Sequence, residues 1–309
     1  MLLTPLTRDV TDEAIAYRYV SAALLRDERR VDITVRGPAG LPPADPHTEG
    51  DSWWPMAVAR ELDDLVLRLR INEDDLGTWV LRTTGDAALV QAYDAQRAEL
   101  AGDWYVNEVT QYWKRTLKRL DVTSRSLFAV IEPGSCFTGS LLELALACDR
   151  QYLLDGVFED VDEDAAPATI TVGPDNLGPL PMGNGLTRLQ SRFFGRPVDL
   201  AAVTARAGEP LDAAAAGELG LVTLTPDDLD WDEELRIALE ERAALSPDAL
   251  TGMEANHRFV GPETVETKVF GRLTAWQNWV FLRPNASGPD GALRRFGSGT
   301  RAAYDTKRV

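Results

Sequence analysis

A strand, a tight loop and the beginning of a helix follow one another without interruption in the middle of this chain. The apolar run Ser126–Ile131 meets a turn at Glu132–Cys136, small residues surround Gly139, and an apolar helical pattern covers Leu141–Cys148. This order leaves backbone N–H groups unpaired at the N-terminus of the helix. Because such groups stabilise negative charge that develops on a carbonyl oxygen, the sequence predicts a site for acyl chemistry here.

Strands alternate with helices over much of the chain, which favours parallel pairing and an α/β class. Alternating apolar and polar residues predict a β-hairpin over Tyr17–Arg36, and the spacing of apolar residues predicts an amphipathic helix over Trp54–Arg70. The next predicted elements are a strand at Thr78–Thr83, two helices within Ala87–Leu120, the strand at Ser126–Ile131 and a strand at Ala168–Val172. After Leu221 the pattern is mostly helical.

Three sequence motifs, in register over about a hundred residues, carry a family resemblance. Glu143 to Asp149 reads Glu-Leu-Ala-Leu-Ala-Cys-Asp, and the stretches Gly178 to Leu189 and Gly208 to Val222 follow it. They resemble, in the same order, motifs of the crotonase (enoyl-CoA hydratase/isomerase) superfamily. The resemblance implies a crotonase-type spiral of ββα turns with a helical C-terminal segment, and it implies an oxyanion hole at the small-residue loop.

Other segments narrow the resemblance to the benzoyl-CoA-dihydrodiol lyase family, and within it to the C-terminal half of the two-part enzyme. These segments are Asp51–Pro55, Ala59–Asp64, Gly271–Trp279 and Arg283–Ala286. The resemblance extends from about Tyr17 to Val309. It implies three parts: an N-terminal β-hairpin and loop over 1–50, a crotonase-like core over 51–225, and a helical association region over 226–309.

Two carboxylates are candidates for acid/base chemistry. Glu143 is often an acid/base in the superfamily, and a carboxylate in an apolar pocket has a raised pKa that suits proton transfer near neutral pH. Its alternative role is to stabilise the first helical turn, where negative charge is favourable. Asp175 is the possible second carboxylate, and its alternative is an Asx-turn or a helix cap.

The remaining candidates belong to the loops. Cys136 is a possible nucleophile or polar pocket contact, although no histidine near it in sequence supports a thiolate. The resemblance assigns oxyanion and substrate binding to Gly139 and Ser140. It assigns the first oxyanion donor to Gly85, in a loop that is short and lacks the family pattern. Loss of one donor weakens such a hole by several kcal/mol.

Charge and composition restrict the partners. The chain has 49 acidic and 32 basic residues, and its formal net charge of −17 disfavours nucleic acid and anionic membrane surfaces. The acidic run Asp155–Asp164 lacks the Gly and terminal Glu of a calcium loop, so no metal site is expected. The first residues contain no long apolar run and no segment approaches a transmembrane span, which favours a cytoplasmic protein.

Two functions of different classes remain open. The first is a lyase or hydratase that acts on an acyl-CoA, with CoA as part of the substrate and no other cofactor. The second is a non-catalytic partner that docks on a separate catalytic crotonase chain. Large apolar residues near the chain end, including Trp276 and Trp279, predict a homo-oligomer or a hetero-oligomer with another crotonase-fold chain.

Overall fold

Seven strands form one mixed sheet in which the spatial order is the order along the chain. The computed structural model describes residues 3–158, 161 and 164–308. The strands are β1 Asp9–Val10, β2 Ala14–Ala16, β3 Val20–Leu25, β4 Arg30–Arg36, β5 Thr78–Thr84, β6 Ser126–Ile131 and β7 Arg150–Leu153. Neighbours from β1 to β4 are antiparallel, and neighbours from β4 to β7 are parallel.

The hairpin predicted at Tyr17–Arg36 is confirmed, since the whole of β3 pairs with β4 from Arg30 to Val35. A 3₁₀ turn at Arg26–Glu28 joins them, and Arg29 closes it with a left-handed φ of 53°. Because β4 also pairs with β5 in parallel, the hairpin and the central segment share one sheet. The predicted α/β class is therefore confirmed, with an antiparallel edge on a parallel half. The division into three parts stays a prediction.

Helices connect the parallel strands and cover the sheet. They are α1 Trp54–Asn72, α2 Ala87–Glu99, α3 Trp104–Asp121, α4 Gly139–Leu146, α5 Arg188–Arg192, α6 Pro197–Ala205, α7 Ala213–Glu218, α8 Trp231–Ala243, α9 Pro247–His257, α10 Thr274–Phe281, α11 Pro284–Ser287 and α12 Ala292–Arg295. A two-stranded sheet pairs β8, Ile170–Thr171, with β9, Pro210–Leu211. The helices predicted at Trp54–Arg70 and within Ala87–Leu120 are confirmed.

Alternation along the parallel strands divides the core into two parts. Trp79, Leu81 and Ala129 pack in the large cluster that also contains the buried faces of α1, α3 and α4. The neighbouring side chains Val80 and Phe128 pack with α8 in a smaller cluster. All six residues of β6 are buried, so the loop that follows this strand begins inside the protein and not at its surface.

The C-terminal region is helical but leaves many apolar side chains in solvent. A π-helical segment, Thr267–Leu273, runs directly into α10. Among the described residues of 226–309, eight large apolar side chains are at least half exposed: Leu229, Leu245, Val265, Phe270, Leu273, Leu282, Leu293 and Phe296. The acidic run predicted at Asp155–Asp164 lies partly outside the described residues. Of the helices in the described part of the chain, none combines the length and the apolar content that crossing a bilayer requires.

Candidate active site

The loop after β6 delivers helix α4 to the edge of a buried carboxylate cluster. The helix begins at Gly139, which has a left-handed φ of +47°. The backbone N–H of Ser140, in the first turn, donates to Oδ2 of Asp94 at 2.8 Å. Asp94 belongs to α2, so a side chain of one helix satisfies an otherwise unpaired donor of another.

Arg97 connects this carboxylate to a second one. Its Nη2 donates to Asp94 Oδ1 at 3.1 Å, and the same atom forms an ion pair with Asp175. All three side chains are buried. The pKa of Asp94 is raised to about 7, chiefly by burial and also by the nearby Asp175, while Arg97 opposes the shift. A carboxyl group of this kind exchanges its proton near neutral pH.

A cavity of about 330 Å³ opens against this cluster. Its polar wall consists of Gln91, Asp94, Arg97 and Asp175, and the backbone of Gly139 and Gly173 completes one side. The remaining lining is formed mainly by alanine and proline side chains of α2 and of the segment after β8. The cavity therefore places a helix N-terminus and two carboxylates at an apolar pocket, which is a setting for acyl chemistry.

A larger groove of about 780 Å³ lies elsewhere, between α8 and the face of the sheet that carries Val80 and Val130. Several of its charged side chains are already in ion pairs: Arg30 with Asp32, Arg82 with Glu132 and Arg236 with Glu240. It contains none of the predicted site residues. We therefore place the candidate active site at the smaller cavity.

Glu143 lies behind the cavity wall and is fully buried. Its Oε2 accepts from Arg188 Nη1 at 2.6 Å, and its Oε1 accepts from Asn176 Nδ2 at 2.7 Å. Arg188 also binds Asp121 at 2.7 Å. Burial raises the pKa of Glu143, whereas Arg188 and the hydrogen bond from Asn176 lower it. Glu143 does not line the cavity, and it lies in the second turn of α4 rather than capping the first.

Asn176 links Glu143 to the helix start. Its Nδ2 donates both to Glu143 and to the carbonyl of Gly139, the latter at 2.9 Å. Its Oδ1 accepts from the N–H of Gly173 at 2.8 Å. Since a Cβ on Gly173 would lie 3.1 Å from the Cα of Gly139, the two segments approach closely. Asn176 therefore fixes the position of the segment that carries Asp175.

Cys136 and Gly85 lie together in a separate group. The N–H of Gly85 donates to the carbonyl of Gly134 at 3.1 Å, so this donor already has an acceptor. Burial raises the pKa of the Cys136 thiol to about 11, which disfavours the thiolate. Neither residue lines the cavity. Their predicted roles as first oxyanion donor and nucleophile stay predictions that this geometry does not favour.

The structure thus brings Gly139 and Asp175 to the wall of one cavity, which Glu143, Cys136 and Gly85 do not line. Ser140 does not line it either, but its N–H binds Asp94, which does. Sequence reasoning missed Asp94, Arg97 and Asn176. Of these three residues, only Asn176 could have been found from the sequence, because it directly follows the candidate Asp175. Among the described residues, no three His, Cys, Asp or Glu side chains come close enough together to hold a metal ion.

Comparison with known proteins gives one close relative. A benzoyl-CoA-dihydrodiol lyase from Aromatoleum evansii is 52% identical over 312 residues, which cover 99% of this chain and 55% of that protein. The chain therefore spans about half the length of the curated relative that it matches. No family model matches the chain.

Solved structures agree on the fold. An enoyl-CoA hydratase from Geobacillus kaustophilus superposes with a TM-score of 0.63 at 14% identity, over 95% of this chain and 98% of that one. An enoyl-CoA hydratase/isomerase from Cupriavidus metallidurans gives a TM-score of 0.63 at 18% identity, over 93% and 96% of the two chains. At these identities the likeness concerns the fold, and the crotonase-type architecture expected from the sequence is confirmed.

Proposed function

We propose that this chain, which has the crotonase fold and is a homologue of benzoyl-CoA-dihydrodiol lyase, acts as a lyase or hydratase on an acyl-CoA thioester. The observation that carries the proposal is the cavity at the start of α4, which Gly139 and the buried carboxylates of Asp94 and Asp175 line. Asp94 accepts there from the N–H of Ser140. Helix N-terminal donors stabilise a thioester enolate, and a carboxylate near them moves a proton or activates water.

The relative's name indicates the acyl group. We propose that the substrate is an aromatic-derived acyl-CoA whose ring is opened with water, because the relative is a benzoyl-CoA-dihydrodiol lyase. The predominantly apolar lining of the cavity supports a substrate of low polarity at the acyl end. In this proposal the CoA moiety arrives with the substrate, and no other cofactor takes part.

Among the predicted acid/base residues, Asp175 has the geometry that supports a direct role, since it lines the cavity. Glu143 has both oxygens engaged by Arg188 and Asn176. We propose that Glu143 takes part in proton transfer only when one of these contacts opens. Through Asn176 it otherwise holds Gly139 and the segment of Asp175 in place.

The second candidate is a non-catalytic half that docks on a separate catalytic chain. Two observations support it: the chain spans 55% of its relative, and Glu143 is locked in ion pairing. In both candidates we propose association with another crotonase-fold chain. The exposed apolar side chains of the C-terminal region, among them Phe270 and Phe296, support this role for residues 226–309.

One experiment separates the two candidates. The chain is purified alone and together with a second crotonase-fold chain corresponding to the rest of the relative, and each sample is assayed for acyl-CoA turnover. Turnover by this chain alone supports the enzyme. If turnover needs both chains, the Asp175→Asn variant of this chain is tested against the matched surface variant Asp199→Asn. Loss of turnover only with Asp175→Asn keeps the enzyme proposal, and equal rates favour the non-catalytic half.

A further inference from the structure

The N–H of Ser140, which the sequence predicts as a donor to a thioester oxygen, is already held by a side chain of the same protein. Oδ2 of Asp94 lies 2.8 Å from this nitrogen. Donors that stabilise an oxyanion lie about 2.7–3.1 Å from it. The carboxylate oxygen of Asp94 therefore stands where the oxygen of a bound acyl thioester would stand.

The backbone around Gly139 permits this close approach. A Cβ built on Gly139 would overlap Oδ2 of Asp94, and the φ of +47° is one that residues with a side chain rarely adopt. Glycine at the helix start thus opens the space in which the carboxylate reaches the N–H of Ser140. The contact depends on local chain shape and is not a chance approach of two surface groups.

A buried polar atom beside this contact is unpaired. Within the described part of the chain, Nη1 of Arg97 has no hydrogen-bond partner, and Arg97 is only 4% exposed. A buried donor without an acceptor is costly, so this atom represents unused hydrogen-bonding capacity. Arg97 lines the cavity of about 330 Å³, so this capacity is within reach of an oxygen-bearing ligand.

We infer that Asp94 and the carbonyl oxygen of an acyl thioester compete for the N–H of Ser140, and that Asp94 thereby determines which ligands the cavity accepts. The inference rests on the proposed function, because it takes an acyl thioester as the ligand. When the thioester oxygen takes the N–H, Oδ2 of Asp94 must leave. The unpaired Nη1 of Arg97 offers it a new donor on the guanidinium whose Nη2 already binds Oδ1.

Competition of this kind selects for charge on the incoming oxygen. The neutral carbonyl of a ground-state thioester is a weaker acceptor than a carboxylate, whereas an enolate oxygen carries negative charge of its own. Displacing Asp94 costs the same free energy for either oxygen, and the stronger hydrogen bond of the enolate oxygen offsets more of that cost. Interactions that are stronger with the enolate than with the ground state accelerate the chemical step.

The test compares two ligands that differ in one oxygen. Benzoyl-CoA carries the thioester carbonyl, and S-benzyl-CoA is a thioether of nearly the same size without it. Calorimetric titration of the full chain is carried out with wild type, Asp94→Ala, Asp94→Asn and the matched control Glu99→Ala, which changes an exposed residue of the same helix. Circular dichroism checks that each variant is folded.

We expect Asp94→Ala to raise the affinity for benzoyl-CoA, relative to S-benzyl-CoA, by about ten- to a hundredfold. Asp94→Asn should raise it less, because the amide oxygen still accepts from Ser140, and it carries the test if the alanine variant does not fold. Glu99→Ala should match wild type. If the ratio of the affinities for benzoyl-CoA and S-benzyl-CoA is unchanged in both Asp94 variants, the inference is wrong. The proposed function is then still tested separately, by the turnover assay. Absence of acyl-CoA binding in every sample, with or without a companion chain, contradicts both.

Discussion

Nη1 of Arg188 lies 2.6 Å from Oε2 of Glu143, in a part of the core where each of the two side chains is only 1% exposed. The same guanidinium also binds Asp121, so one cation compensates two buried carboxylates. Removal of such a cation leaves both negative charges without compensation in a medium that solvates them poorly. The motif that suggested a catalytic glutamate therefore has a structural partner 45 residues further along the chain.

Arg188→Met should lower the free energy of unfolding by about 3–5 kcal/mol, because two buried carboxylates lose their partner. Urea denaturation followed by fluorescence measures the change. Arg206→Met is the matched control, since Arg206 forms an exposed ion pair with Glu209, and exposed pairs contribute about 1 kcal/mol or less. Equal effects of the two substitutions would show that the buried triad contributes no more than a surface pair.

Glu143→Gln tests whether this residue transfers protons. Glutamine keeps the size and still accepts from Arg188, so the fold should persist with a modest loss of stability. If Glu143 is an acid/base, acyl-CoA turnover should fall by about a hundred- to ten-thousandfold. Turnover and unfolding are measured on the same preparations. A variant that is less stable but turns over at the wild-type rate assigns Glu143 to structure alone.

Asp94→Asn should change how stability depends on pH. The pKa of Asp94 is raised to about 7 in the folded chain, so the folded state binds this proton more tightly than the unfolded state. The stabilising contribution is complete below the unfolded pKa, near 4, and is lost as pH rises to about 7. The charged groups facing Asp94 are Arg97 on its own helix and Asp175, which lines the same cavity.

The variant cannot lose this contribution, so its stability relative to wild type should increase by at least ~1 kcal/mol between pH 4 and pH 8. Thermal unfolding across the pH range measures the difference. Glu99→Gln, on the exposed side of the same helix, should follow wild type at every pH. A constant difference between Asp94→Asn and wild type would contradict the raised pKa.

Gly139→Ala should destabilise the chain by about 2 kcal/mol or more, because the residue has a positive φ and its Cβ would overlap Asp94. Adding Asp94→Ala should recover the part that comes from the overlap and leave the part that comes from backbone strain. Gly102→Ala is the control, since a Cβ there meets no atom within 4 Å and its φ is not positive. Chemical denaturation of the four proteins would contradict this account if the double variant recovered nothing.

Replacement of exposed apolar residues in the C-terminal region should weaken self-association or partner binding. The variant combines Phe270→Ser with Leu282→Ser, two side chains that are 75% and 84% exposed. The control Val198→Ser changes a residue that is 79% exposed but lies in α6, outside the C-terminal region. Sedimentation velocity at micromolar concentration, with and without the companion chain, should show smaller species only for the first variant. A wild-type chain that is monomeric under both conditions would exclude this interface.

Local patterns predicted most of the fold. The apolar run Ser126–Ile131 and the turn after it carry enough information to place a strand, a loop and a helix in order, and α1 follows from its apolar periodicity. The hairpin at Tyr17–Arg36 was equally visible, because its alternation matches the two-residue repeat of a strand. These features depend on neighbours in the chain, which a sequence displays directly.

The candidate site was less accessible because its partners are distant in sequence. Asp94 lies 46 residues before Ser140, whose backbone N–H it binds. No motif in α2 indicates that charged side chains of this helix line a cavity. Asn176 reaches Glu143 over 33 residues. Which carboxylate faces the cavity and which is locked behind it depends on packing of α2, α4 and the segment after β8. No single-residue pattern contains that arrangement.

The consecutive order of the seven strands has a consequence for synthesis of the chain. Every strand from β2 to β7 pairs with the strand that precedes it in sequence. A chain that leaves the ribosome from its N-terminus therefore offers each emerging strand an edge that has already been made. The sheet can therefore grow by adding each new strand at the same edge. No gap between two strands has to wait for a strand that is translated later.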